Sequence, residues 1–582
     1  MVQQHLDRLT STDAGFLHQE GPNSHMHIGA VLLFDGDPPS FDQLLDHVRG
    51  RLHLIPRYRQ KLAAPPFDAG NPLWIDDNSF NLEYHVRHAA LPAPGTFEQL
   101  LALVGRIASS KLDRSKPLWE FWLIEGLEPT AGSSRNRFAM ISKNHHSLID
   151  GVSGIDLAAA LFDLTPEVRS FNSDELTPWR PAPEPSRLEL LTAEARGTLN
   201  AAIELAARTL RDAASPSRSI EKLRDRIEGV GEIAWAVMNA APETPLNVPI
   251  GPYRRFAVVR QQLSDYKVVK NRFGATVNDV VLTVVAGGLA SLLRSRGLRT
   301  DGVELRALVP VSIRTADQRD ELGNRLTLMR APLPLYVADD ALRLELVTRQ
   351  MASLKQHSKL ALGASTVAAA GDVAPPAVLA QVSKLQFSTR LFNLLVTNVP
   401  GPQLPLYILG RELRNVYPLA FLPENQALAV AIMSYNGFVE YGLLADFDAV
   451  PDLDVVASGI EHSLQQLLAA VDGGQPAPTR DPAQPSPGLA SVAGDRTRRR
   501  TPSRRRAQPK LELVPAPAAA SETPEAGRAT VANEPANAGV AAASPEPSAS
   551  SLLPSRGGRS RTGPAAEMRA AKRQPKPQPP SA

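Results

Sequence analysis

Two hydrophobic repeats alternate along residues 1–473. Apolar residues three and four positions apart predict helices at Phe41–Leu52, Phe97–Ser109 and Val277–Arg296. Thr276 precedes the third of these as an N-cap, and Gly297 closes it. Apolar and β-branched runs between turn residues predict strands at Pro117–Leu127, Arg137–Lys143, Val303–Arg314, Leu391–Pro400 and Phe438–Phe447. Because strands and helices alternate in both halves, we expect a mixed α/β fold with two cores.

The pattern changes between the two halves and again after residue 473. Asp174–Arg187 is rich in proline and indicates a linker, and the Ala/Leu/Arg-rich stretch from Leu188 to about Ala241 predicts helix. The last 109 residues hold 19 of the 51 prolines and no aromatic residue, so they cannot bury enough apolar surface to offset ordering. We therefore expect domains at 1–173 and 245–473, a Pro-rich and helical linker at 174–244, and a disordered tail at 474–582.

Charge separates the tail from the rest of the chain. Residues 474–582 carry 17 Lys+Arg and 8 Asp+Glu, a net charge of +9, whereas the whole chain is only +3. Seven arginines fall within Arg496–Arg506, a density typical of solubilising tails and of segments that bind anionic lipid or nucleic acid. These three interpretations stay open for the tail. The mildly acidic remainder, net −6 by difference, is not expected to bind nucleic acid.

The chain has no cysteine, which excludes disulfides, thiolate nucleophiles and cysteine metal sites. Its N-terminus is polar and lacks the apolar region of a signal peptide. The longest apolar run, Val280–Leu293, contains glycine and threonine and is shorter than a membrane-spanning helix. We expect a cytoplasmic protein that contacts a membrane from one side.

The stretch "NHHSLIDG" carries the candidate chemistry. It follows the strand Arg137–Lys143 and precedes a predicted helix at Val152–Leu164, so His145 and His146 lie where a strand ends and side chains can reach a cleft. Histidine has an ordinary pKa of about 6.5, which suits a general base near neutral pH. Asp150 is placed to cap the helix, and Gly151 permits a close backbone approach.

Other interpretations of this stretch are simpler. Adjacent histidines are often polar loop residues, and Asp150 would then be a helix cap only. The complete HHxxxDG pattern argues against this, since chance would produce it in on the order of one such chain per thousand. The spacing of His145 and His146 does not match a helical zinc-binding pair, so no metal is expected. His25 and His27, on one predicted strand face, are interpreted as wall residues.

HHxxxDG at the end of a strand resembles the signature of CoA-dependent acyltransferases, which include chloramphenicol acetyltransferases and peptide-synthetase condensation domains. The wider sequence is similar to the bacterial wax ester synthase/diacylglycerol acyltransferase family in its actinobacterial triacylglycerol synthase form. The segments that carry this resemblance occur in family order over roughly residues 5–470; they include "LTSTDAGFLHQEG", "PLWEFWLIEGL", "NHHSLIDGVSG", "ATVNDVVLTVVAGGL", "GNRLTLMRAPLP" and "TNVPGPQLPLYILG".

The resemblance implies two chloramphenicol-acetyltransferase-like domains with a tunnel between them. It implies that His146 is the general base that deprotonates the acceptor hydroxyl, while His145 shapes the site. Asp150, with Gly151, would hold the loop through an arginine partner, for which Arg57 and Arg59 are the candidates.

Four further positions follow from the same resemblance. Asn278 and Asp279 match the family's ND motif and are expected to line the site or the domain interface. Thr397 and Asn398 precede a Pro-Gly-Pro turn and are expected to donate to the developing oxyanion. The substrates implied are acyl-CoA and either diacylglycerol or a long-chain alcohol, with no further cofactor.

The resemblance also implies an enzyme that reaches the inner membrane or lipid droplets peripherally. Two alternatives stay open. One is a condensation-type acyltransferase that acts on carrier-bound lipid substrates, and the other is a non-catalytic lipid-droplet binding protein. The intact His-His-Asp-Gly set favours an enzyme.

Overall fold

The structure is a computed structural model. It describes residues 7–68, 70–130, 132, 134–148, 161–168, 179–213, 240–312, 326–358 and 388–473. Asp150, Gly151, most of the helix predicted at Val152–Leu164 and the whole 474–582 tail lie outside these ranges.

The helices within the described ranges are α1 (Ser11–Gln19), α2 (Phe41–Arg51), α3 (Leu82–His85), α4 (Phe97–Ser109), α5 (Arg187–Ala213), α6 (Leu263–Phe273), α7 (Val277–Ser295), α8 (Asp340–Ser358) and α9 (Leu453–Asp472). The predicted helices α2, α4 and α7 all begin with a capping box. In a capping box the side chain of a Ser or Thr accepts from the backbone N–H three residues later, and the side chain of that later residue accepts from the backbone N–H of the Ser or Thr. These reciprocal bonds explain why the sequence places the starts of these helices correctly.

The strands are β1 (Asp7–Arg8), β2 (His27–Asp35), β3 (Gln60–Ala63), β4 (Leu73–Asp76), β5 (Val86–Ala90), β6 (Trp119–Leu127), β7 (Arg137–His145), β8 (Arg254–Gln262), β9 (Glu304–Ser312), β10 (Leu326–Pro334), β11 (Leu394–Pro400), β12 (Tyr407–Ile408), β13 (Arg411–Leu419), β14 (Leu428–Tyr435) and β15 (Phe438–Asp446). They form a first sheet in the order β12-β13-β2-β7-β6-β5 and a second sheet in the order β10-β9-β11-β14-β15-β8. A small third sheet has the order β1-β4-β3.

The first sheet is not built from the N-terminal half alone. β13 belongs to the later half of the chain, yet it pairs antiparallel with β2, with Tyr417 opposite Val31. A division of the chain at residues 173 and 245 therefore does not separate the two sheets completely. Sequence periodicity identifies strands but not their partners, so this exchange could not be predicted.

The second sheet is covered by the apolar helix α7. This helix is long and apolar enough to cross a membrane by length and composition, but 78% of its apolar window is buried inside the protein. It contacts α9, α8 and α6, and Thr283 and Leu289 in its middle are fully buried. α7 is therefore the core helix of the second half.

A buried carboxylate joins the two sheets where β13 crosses β15. Glu440 of β15 is fully buried; its Oε2 accepts from the backbone N–H of Val416 (2.5 Å), and its Oε1 accepts from the Asn415 side chain (2.8 Å). Arg260 of β8 lies 3.1 Å from the same Oε1. These bonds anchor β13 beside a register shift between Leu413 and Asn415, where regular pairing with β2 is interrupted.

We predict that E440A destabilises the protein by about 3 kcal/mol, because it leaves the buried Val416 N–H and Asn415 amide without an acceptor. Burial raises the pKa of Glu440 to about 6. E440Q keeps one of the two acceptor oxygens but sets an NH2 group against a buried donor, so it should still cost about 1–3 kcal/mol, less than E440A. Urea-unfolding midpoints at neutral pH measure both. An E440A midpoint equal to that of the wild type would contradict this anchoring role.

Candidate active site

The end of β7 positions the two motif histidines. β7 continues two residues beyond the predicted end at Lys143, because its pairing with β2 persists until His145 lies opposite His27. The backbone N–H of His145 donates to Leu118 O (3.0 Å), and that of His146 donates to Met26 O (2.8 Å). Both histidines are therefore held by main-chain bonds on either side of the strand end.

The imidazole of His146 lies in a mainly aromatic environment. It stacks on Phe16 of α1, with ring centroids 3.9 Å apart and planes at 16°, and meets the edge of Phe421 at 5.9 Å. Its Nδ1 has no hydrogen-bond partner among the described residues, while the residue as a whole is half-buried. Desolvation lowers the pKa of His146 to about 4, so the ring is neutral at neutral pH and free to accept a proton.

His145 has a different environment from its neighbour. It is 1% exposed, and its Nδ1 accepts from the backbone N–H of Ser147 at 3.1 Å. A backbone N–H can only donate, so this bond leaves the ring proton of neutral His145 on Nε2. That nitrogen lies 3.4 Å from Oε1 of Glu20. His145 is thus locked inside the protein, which fits support of the site rather than contact with substrate.

The second sheet contributes a contact between two of the predicted residues. Asn398, near the end of β11, donates through Nδ2 to Oδ1 of Asn278 at the start of α7 (3.2 Å). Thr397, its neighbour, is partly buried and lies opposite Ala431 of β14. The structure therefore brings Asn278 and Asn398 together, although they are 120 residues apart.

Asp279 has a structural task in this arrangement. Its Oδ2 accepts from the backbone N–H of Thr276 (2.9 Å), and its own N–H donates to the Thr276 hydroxyl (3.2 Å). The residue is 2% exposed, and its Oδ1 has no partner within the described part of the chain. Asp279 thus caps α7, and this cap fixes the backbone that carries Asn278.

The roles predicted for Asp150 and Gly151 stay predictions, because both residues lie outside the described ranges. The two candidate arginine partners of Asp150 have other contacts. Arg57 pairs with Asp7 (3.2 Å) and lies over the Trp74 ring, while Arg59 lies over the Trp179 ring.

Sequence reasoning missed the residues that surround the histidine pair. Glu20, Phe16 and Phe421 were not singled out, although Glu20 and Phe16 fall inside the segment "LTSTDAGFLHQEG". His27, interpreted as a wall residue, is buried with its ring centroid 5.9 Å from that of His145. No local pattern marks these residues, because their contacts with the pair join distant parts of the chain.

The sheets meet next to this site. A cavity of about 20 Å³ lies between them, lined by His27 and Lys143 of the first sheet, Leu444 of the second, Arg254 and Phe421. It shares Phe421 with the surroundings of His146. The wider tunnel implied by the resemblance stays a prediction.

We predict that His146 titrates with a pKa of about 4, well below that of an exposed histidine. Histidine-labelled protein followed by NMR as the pH falls, with H146N to assign the signal, measures this value directly. The cause is the desolvation of the ring, which packs against Phe16 and Phe421. A His146 signal that titrates near pH 6.5 would contradict the environment described above.

Comparisons with known proteins agree with this geometry. The family model for the wax ester synthase/diacylglycerol acyltransferase catalytic domain matches residues 9–281, and that for the WS/DGAT C-terminal domain matches residues 322–468. The probable diacylglycerol O-acyltransferase tgs1 of Mycobacterium tuberculosis H37Rv is 32% identical over 467 residues, which cover 80% of this chain and 96% of that protein. The probable diacylglycerol O-acyltransferase tgs2 of the same strain is also 32% identical, over 80% of this chain and 100% of its own.

Solved structures support the same fold. The wax ester synthase/diacylglycerol acyltransferase of Marinobacter aquaeolei VT8 matches with a TM-score of 0.54 and 28% identity, covering 80% of this chain and 100% of that one. The TRI3 trichothecene 15-O-acetyltransferase of Fusarium sporotrichioides has a TM-score of 0.53 at 12% identity over 80% of this chain and 95% of that one, a likeness of fold alone. The predicted mixed α/β class is confirmed. With both family models matched in order along one chain, this protein is an O-acyltransferase and belongs to the wax ester synthase/diacylglycerol acyltransferase family.

Proposed function

We propose that this enzyme transfers an acyl group from acyl-CoA to diacylglycerol to form triacylglycerol, with long-chain alcohols as a second class of acceptor. The observation that carries the chemistry is the neutral, half-buried imidazole of His146 at the end of β7. The naming of its mycobacterial relatives as diacylglycerol O-acyltransferases supports this acceptor.

His146 begins the reaction as a general base. It takes the proton of the acceptor hydroxyl while the oxygen attacks the thioester carbonyl carbon of acyl-CoA. When the tetrahedral intermediate collapses, the carbon–sulfur bond breaks, and the imidazolium returns the proton to the departing CoA thiolate. The products are the ester and free CoA, and His146 is neutral again.

The transfer is direct. The chain has no cysteine, so no acyl group can be held as a thioester on the protein. A ternary complex of the enzyme, acyl-CoA and the acceptor is then the simplest route. Esterification also needs water to be kept away from the thioester, and the neighbouring rings of Phe16 and Phe421 that pack against His146 serve this purpose.

The second sheet supplies the polar groups opposite His146 in this proposal. The amide of Asn398 is oriented by its bond to Asn278, and the Thr397 hydroxyl lies one residue earlier on β11. Such preset donors stabilise negative charge on the carbonyl oxygen as it develops. Asp150 and Gly151 are proposed to hold the turn that follows the histidines.

The acceptor is a lipid, so we propose peripheral contact with the inner membrane or with lipid droplets. Seven arginines within Arg496–Arg506 would each contribute about 1 kcal/mol near an anionic surface.

We predict that H146A lowers the rate of triacylglycerol formation by at least about 100-fold, the usual contribution of a general base. Radiolabelled palmitoyl-CoA is incubated with purified protein and either dioleoylglycerol or hexadecanol, and the labelled neutral lipid is counted.

H53A is the matched control, because His53 lies in a short helical turn after α2 and its change should leave the rate unaltered. Undiminished product with H146A would refute the base assignment. A wild-type enzyme that esterifies neither acceptor would refute the proposed substrates and favour carrier-bound lipids or a binding protein.

We predict that the arginine cluster of the tail strengthens binding to anionic vesicles. The full chain and a full-length variant with glutamine at all seven arginines of Arg496–Arg506 are compared by flotation with phosphatidylglycerol-containing vesicles. The variant should float less at low salt, and the difference should shrink as salt screens the charges. Equal flotation of both proteins at low salt would exclude the tail as an electrostatic anchor.

A further inference from the structure

We infer that Glu20 is the positioning residue of the histidine pair: its buried carboxylate lies against the His145 ring and reaches the His146 backbone through the backbone of Met26. This inference rests on the proposed role of His146 as the general base. Glu20 follows α1 directly and lies 125 residues before His145 in the sequence.

One carboxylate oxygen of Glu20 faces the histidines. Oε1 lies 3.4 Å from Nε2 of His145 and 3.7 Å from Nε2 of His27, and it accepts from the backbone N–H of Met26 at 3.3 Å. Because Nδ1 of His145 already accepts from Ser147, Nε2 of His145 carries the ring proton, and it faces the Glu20 carboxylate at 3.4 Å without the geometry of a hydrogen bond. Glu20 and Ser147 together fix both the orientation and the tautomer of this ring.

The Met26 peptide carries the effect of Glu20 to His146. Its N–H donates to Oε1 of Glu20, and its carbonyl oxygen accepts from the backbone N–H of His146 at 2.8 Å. The backbone of one residue, Met26, therefore connects the carboxylate to the residue that is proposed to take the substrate proton. Met26 itself is 1% exposed, so neither bond competes with bulk water.

The other oxygen holds Glu20 in place. Oε2 accepts from Nε of Arg114 (2.9 Å) and from its Nη2 (2.5 Å), and Nζ of Lys111 lies 3.3 Å away. Arg114 also donates to Leu17 O at 2.8 Å, which ties it to the last turns of α1. The cations are about 40% exposed, whereas the Glu20 side chain is 1% exposed.

The carboxylate of Glu20 stays ionised although it is buried. Desolvation alone would raise the pKa of Glu20, but the contact with His145 and the positive charge of Arg114 outweigh it and hold this pKa well below its ordinary value. The carboxylate is therefore ionised at neutral pH. Burying a charge costs free energy unless its partners compensate for the lost water. Because Glu20 has five partners, we expect its carboxylate to keep one defined position.

The test is E20Q in the full-length protein, which keeps the shape of the side chain and removes its charge. E120Q is the matched control: Glu120 of β6 is another buried carboxylate in the first sheet, and it pairs with Arg87 at 3.0 Å rather than with either histidine. Initial rates are measured over ranges of palmitoyl-CoA and dioleoylglycerol, and each variant's folded fraction is taken from its thermal unfolding curve.

We predict that E20Q lowers kcat by about 10-fold or more per folded molecule, because a misplaced base costs rate rather than binding. KM for both substrates should change by less than about twofold, and E120Q should keep the wild-type kcat. A wild-type kcat for E20Q, or equal losses in E20Q and E120Q, would overturn the inference. H146A in the same assay separates the two proposals. An active H146A refutes the role of His146 as the general base. An inactive H146A together with a wild-type kcat for E20Q refutes only the role of Glu20.

Discussion

The pairing of β2 with β7 is the interaction on which the site depends. Its register runs from Asp35 opposite Arg137 to His27 opposite His145, and it ends where His146 turns away from the sheet. A slip of one residue would move every side chain of β7 to the other face of the sheet. The buried ring of His145 would then lose Glu20, and the Met26 carbonyl would no longer meet the His146 N–H.

This register gives two adjacent histidines different chemical properties. His145 is enclosed by Ser147 and a carboxylate, so its tautomer is fixed. His146 is desolvated against Phe16 and Phe421, so it stays neutral and keeps a lone pair for the substrate proton. The second sheet completes the arrangement, since the strand exchange of β13 and the buried Glu440 keep it against the first.

Local features of this protein could be predicted from its sequence, whereas long-range partners could not. The start of α7 follows from Thr276 and Asp279, because a capping box acts over three residues. The placement of His145 and His146 at a strand end follows from the apolar run before them. The contacts Glu20–His145, Asn278–Asn398 and β13–β2 join residues more than 100 positions apart, and one sequence holds no local signal for them.

Acceptor acidity tests the central claim, that a neutral His146 removes the proton of the acceptor hydroxyl. Wild type and H146A are each assayed with hexadecanol and with a hexadecanol that carries two fluorine atoms beside the hydroxyl carbon. The fluorinated alcohol is more acidic and needs less help from a base, so the ratio of wild-type to H146A rates should shrink by about tenfold. An unchanged ratio for the two alcohols would contradict proton transfer to His146.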